Sequence, residues 1–201
     1  AVRFLLATGV RVGEFNLARW EHIDAPGALW IIPKEHSKNG REHRVHLSAF
    51  ALRELGTLGL YRENDWLLSS RTGEGPIDDK AIAKAMRDRQ REEPLAGRTT
   101  KAAGTLRLSG GDWTPHDLRR TFATRLGDLG VAPHVVERCL NHTMQGVMAV
   151  YNRNDYWNER REALDLWGAE LERLFAPTSD NLLESIPTLK GRRRTRRAKR
   201  P

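Results

Sequence analysis

Residues 114–142 read TPHDLRRTFATRLGDLGVAPHVVERCLNH, and two helices are punctuated there almost to the residue. Thr114 can cap a helix. Pro115 then takes the first helical position, where its missing N–H costs nothing. Leu118, Phe122, Leu126 and Leu129 recur at helical spacing and mark a buried stripe. Gly130 ends that helix, because glycine accepts the left-handed conformation that closes a helix. Pro133 opens a second helix with Val135, Val136, Cys139 and Leu140 on its apolar side, and it stops at Asn141–His142. A short link leads to Val147, Val150 and Tyr151, again at helical spacing.

The flanking segments extend this helical frame. Val2, Leu5 and Leu6 read as the buried part of a helix already under way, so the chain reads as a fragment of a longer protein. Gly9 breaks that helix, and Val12 to Arg19 reads as the next, with Phe15 inside. Ile23 and Leu29 to Ile32 read as strands. Asn39-Gly40 is a hairpin signal, since a tight I′ turn needs positive φ at both positions. Val45 and Leu47 alternate with Arg44 and His46, as on a half-buried strand. Helices follow at 49–58 and 79–93, the second with Ile82, Ala85 and Met86 inward. Residues 66–70 read as a short extended piece and 72–76 as a turn. Residues 94–112 are rich in Gly, Thr and Ala, and read as a mobile loop offering Arg98, Lys101 and Arg107 to phosphates. Residues 157–175 form an amphipathic helix with Leu164, Trp167, Leu171 and Leu174 on its apolar stripe. The expected fold is mainly α with a small antiparallel β-sheet, an α+β domain over residues 1–175. Residues 176–201 read as a linker and a disordered basic tail.

Charge must be apportioned before it is used. The net charge is +8, but residues 190–200 alone carry eight basic groups and no acid, leaving 26 basic against 26 acidic residues elsewhere. The basic character therefore belongs to the tail and says nothing about the folded part. No run approaches a membrane span, and no basic region precedes the first apolar stretch as a signal peptide requires. The single cysteine, Cys139, falls on an apolar helix face and reads as a small core residue.

Several residues carry chemistry. His116 and Arg119 are three apart and share a face at the first helical turn, where free N–H groups and the helix dipole favour an anion. The pair reads either as a phosphate clamp or as a solvated first turn, and H-x-x-R alone does not separate the two. His142 ends the second helix. Tyr151 reads as a half-buried core tyrosine or as one that meets the same phosphate as the two histidines and the arginine. Glu14 lies three after Arg11 and reads either as a solvated first-turn acid or as one that pairs with an arginine or caps the helix. Lys38 stands beside the Asn39-Gly40 turn, as a solubilising lysine or as a functional one.

The strings HDLRRTFATRL (116–126), LNH (140–142) and AVYNR (149–153) resemble the catalytic core of the tyrosine recombinases, specifically the phage and prophage-island integrases. TGVRVGE (8–14) is similar to the family's first-arginine motif, placing Arg11 and Glu14. Lys38 matches the hairpin lysine. The resemblance implies a site of Arg11, Lys38, His116, Arg119, His142 and Tyr151, with Tyr151 as nucleophile, His116 as base and Lys38 as proton donor to the leaving oxygen. It implies a site-specific DNA recombinase working through a 3′-phosphotyrosyl bond, with no cofactor, metal or ATP, that integrates or excises a prophage or genomic island. DNA-binding domains ahead of residue 1 are expected. The implied partners are double-stranded DNA attachment sites, a homotetramer on DNA, a DNA-bending host factor and an excisionase, in the bacterial cytoplasm at the nucleoid and away from membranes. A type IB topoisomerase shares this chemistry, and a noncatalytic DNA-binding module is a further reading. A metallohydrolase fits poorly, since no H-x-x-x-H or H-E-x-x-H pair occurs.

Overall fold

The computed structural model describes residues 1–96, 102–143 and 154–176. In chain order the elements are α1 (Val2–Thr8), α2 (Val12–Asn16), a 3₁₀ turn (Trp20–His22), β1 (Ile23–Asp24), β2 (Leu29–Ile32), β3 (His43–His46), α3 (Ala49–Gly59), α4 (Ala81–Gln90), α5 (Pro115–Asp128), α6 (Pro133–Cys139) and α7 (Trp157–Phe175). The three strands pair antiparallel in the order β1-β2-β3, so Trp30 faces Ile23 on one side and Val45 on the other. This is the mainly helical architecture with a small antiparallel sheet that the sequence leads one to expect. Among the described residues, no helix is long and apolar enough to cross a membrane.

The core joins the sheet to the helices through aromatic rings. Phe4 of α1, Phe15 of α2 and Trp30 of β2 are fully buried, with ring centroids 5.3–6.4 Å apart. Such pairs add about 0.5–1.5 kcal/mol each beyond the area they bury. Phe122 of α5 meets Trp167 of α7 edge-on at 6.5 Å, and Trp167 Nε1 donates to Leu6 O at 2.9 Å. The same tryptophan therefore bonds α1 and packs against α5. His46 Nε2 lies 2.7 Å from Asp165 Oδ1 on α7, which draws His46 inward beside Val45 and Leu47. The expected half-buried alternation of that strand is lost at this point.

Local departures from the expected elements have physical causes. The second helix stops at Asn16 rather than Arg19. Ala18 O accepts from Leu67 N, Trp20 N donates to Asp65 O (both 2.9 Å), and Arg19 bridges Trp66, so extended pairing takes those backbone groups. The strands β2 and β3 do form a hairpin, but residues 33–42 connect them in place of a two-residue I′ turn. Of Asn39 and Gly40, only Gly40 takes positive φ (+67°), and its N–H donates to Ser37 O at 3.0 Å. That is a turn with glycine in fourth place. Helix α4 is shorter than 79–93, because Asp78 holds Lys80 N and Ala81 N in a turn of its own. Leu174 is half exposed, its turn extending past the packed stripe of Leu164, Trp167 and Leu171.

The segment ahead of α5 is tied at its far end. Gln90 accepts from Trp113 N and donates to Trp113 O, both at 2.8 Å, and Trp113 Nε1 donates to Leu106 O at 2.8 Å. Residues 102–112 run through turns, and Arg107 is ion-paired with Glu92. Arg98 and Lys101 lie outside the described residues, as do the short helix expected around Val147 and Val150 and the basic tail.

Gly9 sets how closely α1 approaches α5. It ends α1 at φ +65°, and a Cβ there would stand 2.5 Å from Cδ1 of Phe122. Alanine would incur both a left-handed backbone, about 1–2 kcal/mol, and overpacking against a buried ring, about 1–3 kcal/mol. Gly9→Ala should therefore lower unfolding free energy by about 2–4 kcal/mol in urea titration. A loss under about 0.5 kcal/mol, the usual scatter for surface sites, would contradict the close α1–α5 contact.

Candidate functional site

Arg119 sits where α5 turns inward. Thr114 N and Oγ1 donate to Asp117 Oδ2 at 3.0 and 2.8 Å, and Pro115 takes the first position, so the start of α5 is fixed. Burial of Leu118, Phe122 and Leu126 then carries Arg119 inside, to 7% exposure. A buried guanidinium must be hydrogen-bonded to persist. Arg119 Nη1 donates to Gly9 O at 2.6 Å, and Nη2 donates to Leu140 O and to His142 Nε2, the latter at 3.0 Å. Arginine has no acceptor, so His142 Nε2 presents its lone pair and Nδ1 carries the hydrogen, donated to Glu137 Oε2 at 2.7 Å.

Arg11 occupies the N-cap of α2. Its backbone N–H donates to Glu14 Oε2 at 3.1 Å and its Nη1 to Glu14 Oε1 at 2.9 Å. Glu14 is 2% exposed, so one buried carboxylate holds both the helix start and the guanidinium. Both roles expected of Glu14 are thus filled together. Burial first, then the nearby Arg11, draw the Arg119 guanidinium down to about 10, with Glu14 and Glu137 opposing. Arg119 stays charged at neutral pH. Two guanidiniums that raise each other's energy by repulsion favour an anion near both.

Lys38 is exposed in the 33–42 connection, and its neighbours are bonded across the chain. Asn39 Nδ2 donates to Asn141 O and Oδ1, both at 3.0 Å, and Asn141 Nδ2 donates to Ser37 Oγ at 3.0 Å. His116 stands exposed on the first turn of α5. Tyr151 lies outside the described residues. Of the six expected site residues, Arg11, Arg119 and His142 are therefore brought together. Lys38 is tethered to the turn before His142, and His116 flanks them on α5.

Four residues of this network escape sequence reading. Glu137 precedes His142 by five, across a helix end, so no helical spacing flags the pair. Asn39 and Asn141 meet only through the fold. Arg160 is 3% exposed, donates to Asp155 Oδ1 at 2.7 Å and to Arg44 O, and reaches His43. A cleft of about 230 Å³ opens here, edged by Arg41, Arg44, Arg138 and Arg160 with Glu42 and Asp155. Among the described residues, no three His, Cys, Asp or Glu side chains group closely enough to hold a metal ion. Tyr156, the tyrosine nearest Tyr151 in sequence, packs its ring on His134 at 4.6 Å. Cys139 is a buried core residue, its thiol pushed up to about 12 by burial.

His43 lies on the same hairpin as Lys38 but is enclosed, 4% exposed. Its Nε2–H donates to Cys139 O at 3.1 Å and its Nδ1 faces Arg160 Nη2 at 3.5 Å. Burial first, then Arg160, push it down from 6.5 to about 3. A neutral, enclosed imidazole is no proton donor to a substrate. The unfolded chain protonates this histidine near its ordinary value, about 6.5, and the folded chain resists. Its stabilising contribution is full above about pH 6.5 and is lost progressively as pH falls towards 3. The urea midpoint should fall between pH 7 and pH 4.5 by more in the wild-type chain than in His43→Gln, which keeps a donor for Cys139 O. Parallel falls in the two proteins would contradict the buried neutral histidine.

Residues 1–157 match the Phage integrase family, a span that includes Arg11, Lys38, Arg119, His142 and Tyr151. The chain is 30% identical over 164 residues to Prophage integrase IntA of Escherichia coli (strain K12), covering 81% of this chain and 36% of that protein. It thus spans about a third of the length of that relative. Among solved structures, the integrase from mycobacterium phage Brujita superposes with a TM-score of 0.60 at 17% identity, covering 91% of this chain and 55% of that one. The Tn1549 transposon integrase (residues 82–397) in complex with circular intermediate DNA gives 0.52 at 18%, covering 86% and 58%. At these identities the structural likeness is one of fold. The family match runs from α1 through every element that carries the arginine–histidine cluster, and the chain belongs to the phage integrase family, with the catalytic-domain fold of the tyrosine recombinases.

Proposed function

We propose that residues 1–175 are the catalytic domain of a site-specific DNA recombinase that cleaves and rejoins strands through a 3′-phosphotyrosyl intermediate. The observation that carries this reading is a pair of arginines close enough to feel each other's charge: Arg119, bonded to His142, and Arg11, ion-paired with buried Glu14. Among its described contacts Arg119 uses three N–H groups, leaving its Nε–H and one Nη1 hydrogen for a ligand. A phosphodiester placed there has its nonbridging oxygens neutralised by two guanidiniums. Charge on those oxygens grows in the pentacoordinate transition state, and the fixed donors meet it without rearrangement.

The remaining steps fall to residues around that clamp. Tyr151 Oη attacks phosphorus and passes its proton to His116, which is exposed on the first turn of α5. Tyrosine is mostly protonated at neutral pH, its ordinary pKa being about 10, so a base and a positive field are both needed. The bond from phosphorus to the 5′-oxygen breaks as Lys38 gives that oxygen a proton. The new ester conserves the energy of the old one. A 5′-hydroxyl from a second strand then reverses the step, releasing Tyr151 and joining the strands. No metal or ATP enters. Recombination between two sites calls for several copies on DNA, a tetramer, and for double-stranded attachment sites that belong to a mobile element. A DNA-bending host factor and an excisionase would set direction.

The experiment is incubation with a nicked suicide duplex carrying the element's attachment site, run in excess chelator and resolved on a denaturing gel. A covalent protein–DNA band should form, vanish in Tyr151→Phe and persist in Tyr156→Phe. DNA binding should survive in both variants. Trapping that survives Tyr151→Phe, or that needs a divalent ion, would refute the mechanism.

A further inference from the structure

The 33–42 connection joins two short strands, yet its tip is bonded to a segment about a hundred residues away. Three side chains close a ring there. Ser37 Oγ donates to Asn39 Oδ1 at 2.9 Å, Asn39 Nδ2 donates to Asn141 Oδ1 at 3.0 Å, and Asn141 Nδ2 donates to Ser37 Oγ at 3.0 Å. Asn39 Nδ2 also reaches Asn141 O at 3.0 Å, and Asn39 Oδ1 accepts from Arg41 N at 3.1 Å. Lys38 lies between Ser37 and Asn39, so both its neighbours are anchored while its own side chain stays exposed.

The anchor is the turn that makes the phosphate site. Leu140 O accepts from Arg119, Asn141 holds the loop, and His142 Nε2 accepts from Arg119. Asn141 stands at φ +51°, a left-handed conformation that glycine adopts without cost. The backbone therefore has no need of asparagine there. What asparagine adds is an amide, and that amide is spent on the Lys38 loop.

We infer that Asn141, with Asn39 and Ser37, is a positioning residue that latches the Lys38 loop onto the His142 turn, so that the proton donor and the phosphate clamp are assembled as one piece. This rests on the reading of Lys38 as the proton donor. A loop free of the latch would carry its lysine away from the leaving oxygen for much of the time, and small misplacements cost about a hundredfold in rate. Asn141 touches no reacting atom and acts through Lys38.

The test uses Asn141→Gly, which suits the left-handed backbone, removes the side-chain amide with its bonds to Asn39 and Ser37, and keeps the carbonyl that Asn39 also reaches. Wild type, Asn141→Gly, Lys38→Ala and the double variant are compared on ordinary nicked DNA and on DNA with a 5′-bridging sulfur. That sulfur leaves without a proton, since thiols have an ordinary pKa of about 8.5. Asn141→Gly should cleave ordinary DNA about 10- to 100-fold more slowly and the sulfur substrate at near the wild-type rate. The double variant should be no slower than Lys38→Ala. Amides 37–41 should exchange hydrogen faster in Asn141→Gly, with core protection unchanged. Rescue by sulfur in Lys38→Ala but not in Asn141→Gly would overturn the latch alone. So would wild-type cleavage of ordinary DNA by Asn141→Gly, or unchanged exchange at 37–41. Failure of sulfur to rescue Lys38→Ala would overturn the proton-donor reading and the latch with it.

Discussion

One buried guanidinium holds three stretches of chain in place. Arg119 donates to Gly9 O, Leu140 O and His142 Nε2, so α5 is bonded to the turn after α1 and to the turn after α6. A hydrogen bond to a charged group contributes about 1.5–3 kcal/mol, more than the usual surface ion pair. The contacts that place the site are therefore also contacts that hold the fold. Among the described contacts three of the five N–H groups of Arg119 are used, and Arg11 stands close enough to depress its pKa.

The surrounding residues fit this constraint. Gly9 is needed for its positive φ and for the room that Phe122 takes, and its backbone carbonyl meets Arg119. Glu14 offsets the paired arginines from beneath, and Glu137 fixes the tautomer through which His142 accepts from Arg119. Buried His43 of β3 faces buried Arg160 of α7, which ties the hairpin to that helix. Removing Glu14 would take away a carboxylate that opposes the repulsion of Arg11 on Arg119.

Much of this was legible in the sequence, and the rest was not for identifiable reasons. Pro115 and Gly130 bracket α5 where the sequence places it, and α7 runs over the expected 157–175, because caps and helical stripes are local signals. The hairpin was legible as a hairpin, but not its turn. Asn39-Gly40 satisfies a local rule, while the actual conformation of Asn39 answers to Asn141, about a hundred residues on. Helix α2 ends early for the same kind of reason, its residues drawn to the 65–67 segment. Arg11, Arg119 and His142 were found through family motifs; spacing alone left the His116–Arg119 pair open between a phosphate clamp and a solvated first turn. Glu137, Asn141 and Arg160 had no such signal, since their partners lie across helix ends or distant segments.

Hydrogen exchange on Arg119→Lys tests the shared role of this guanidinium most directly. A lysine keeps the charge but presents a compact ammonium on a flexible stem, which cannot span Gly9 O, Leu140 O and His142 at once. Protection should fall together at residues 9–11 and 140–142, two segments far apart in sequence, while the Phe4–Phe15–Trp30 core keeps its protection. A loss confined to one of the two segments, or none at all, would show that the guanidinium does not tie the site to the fold.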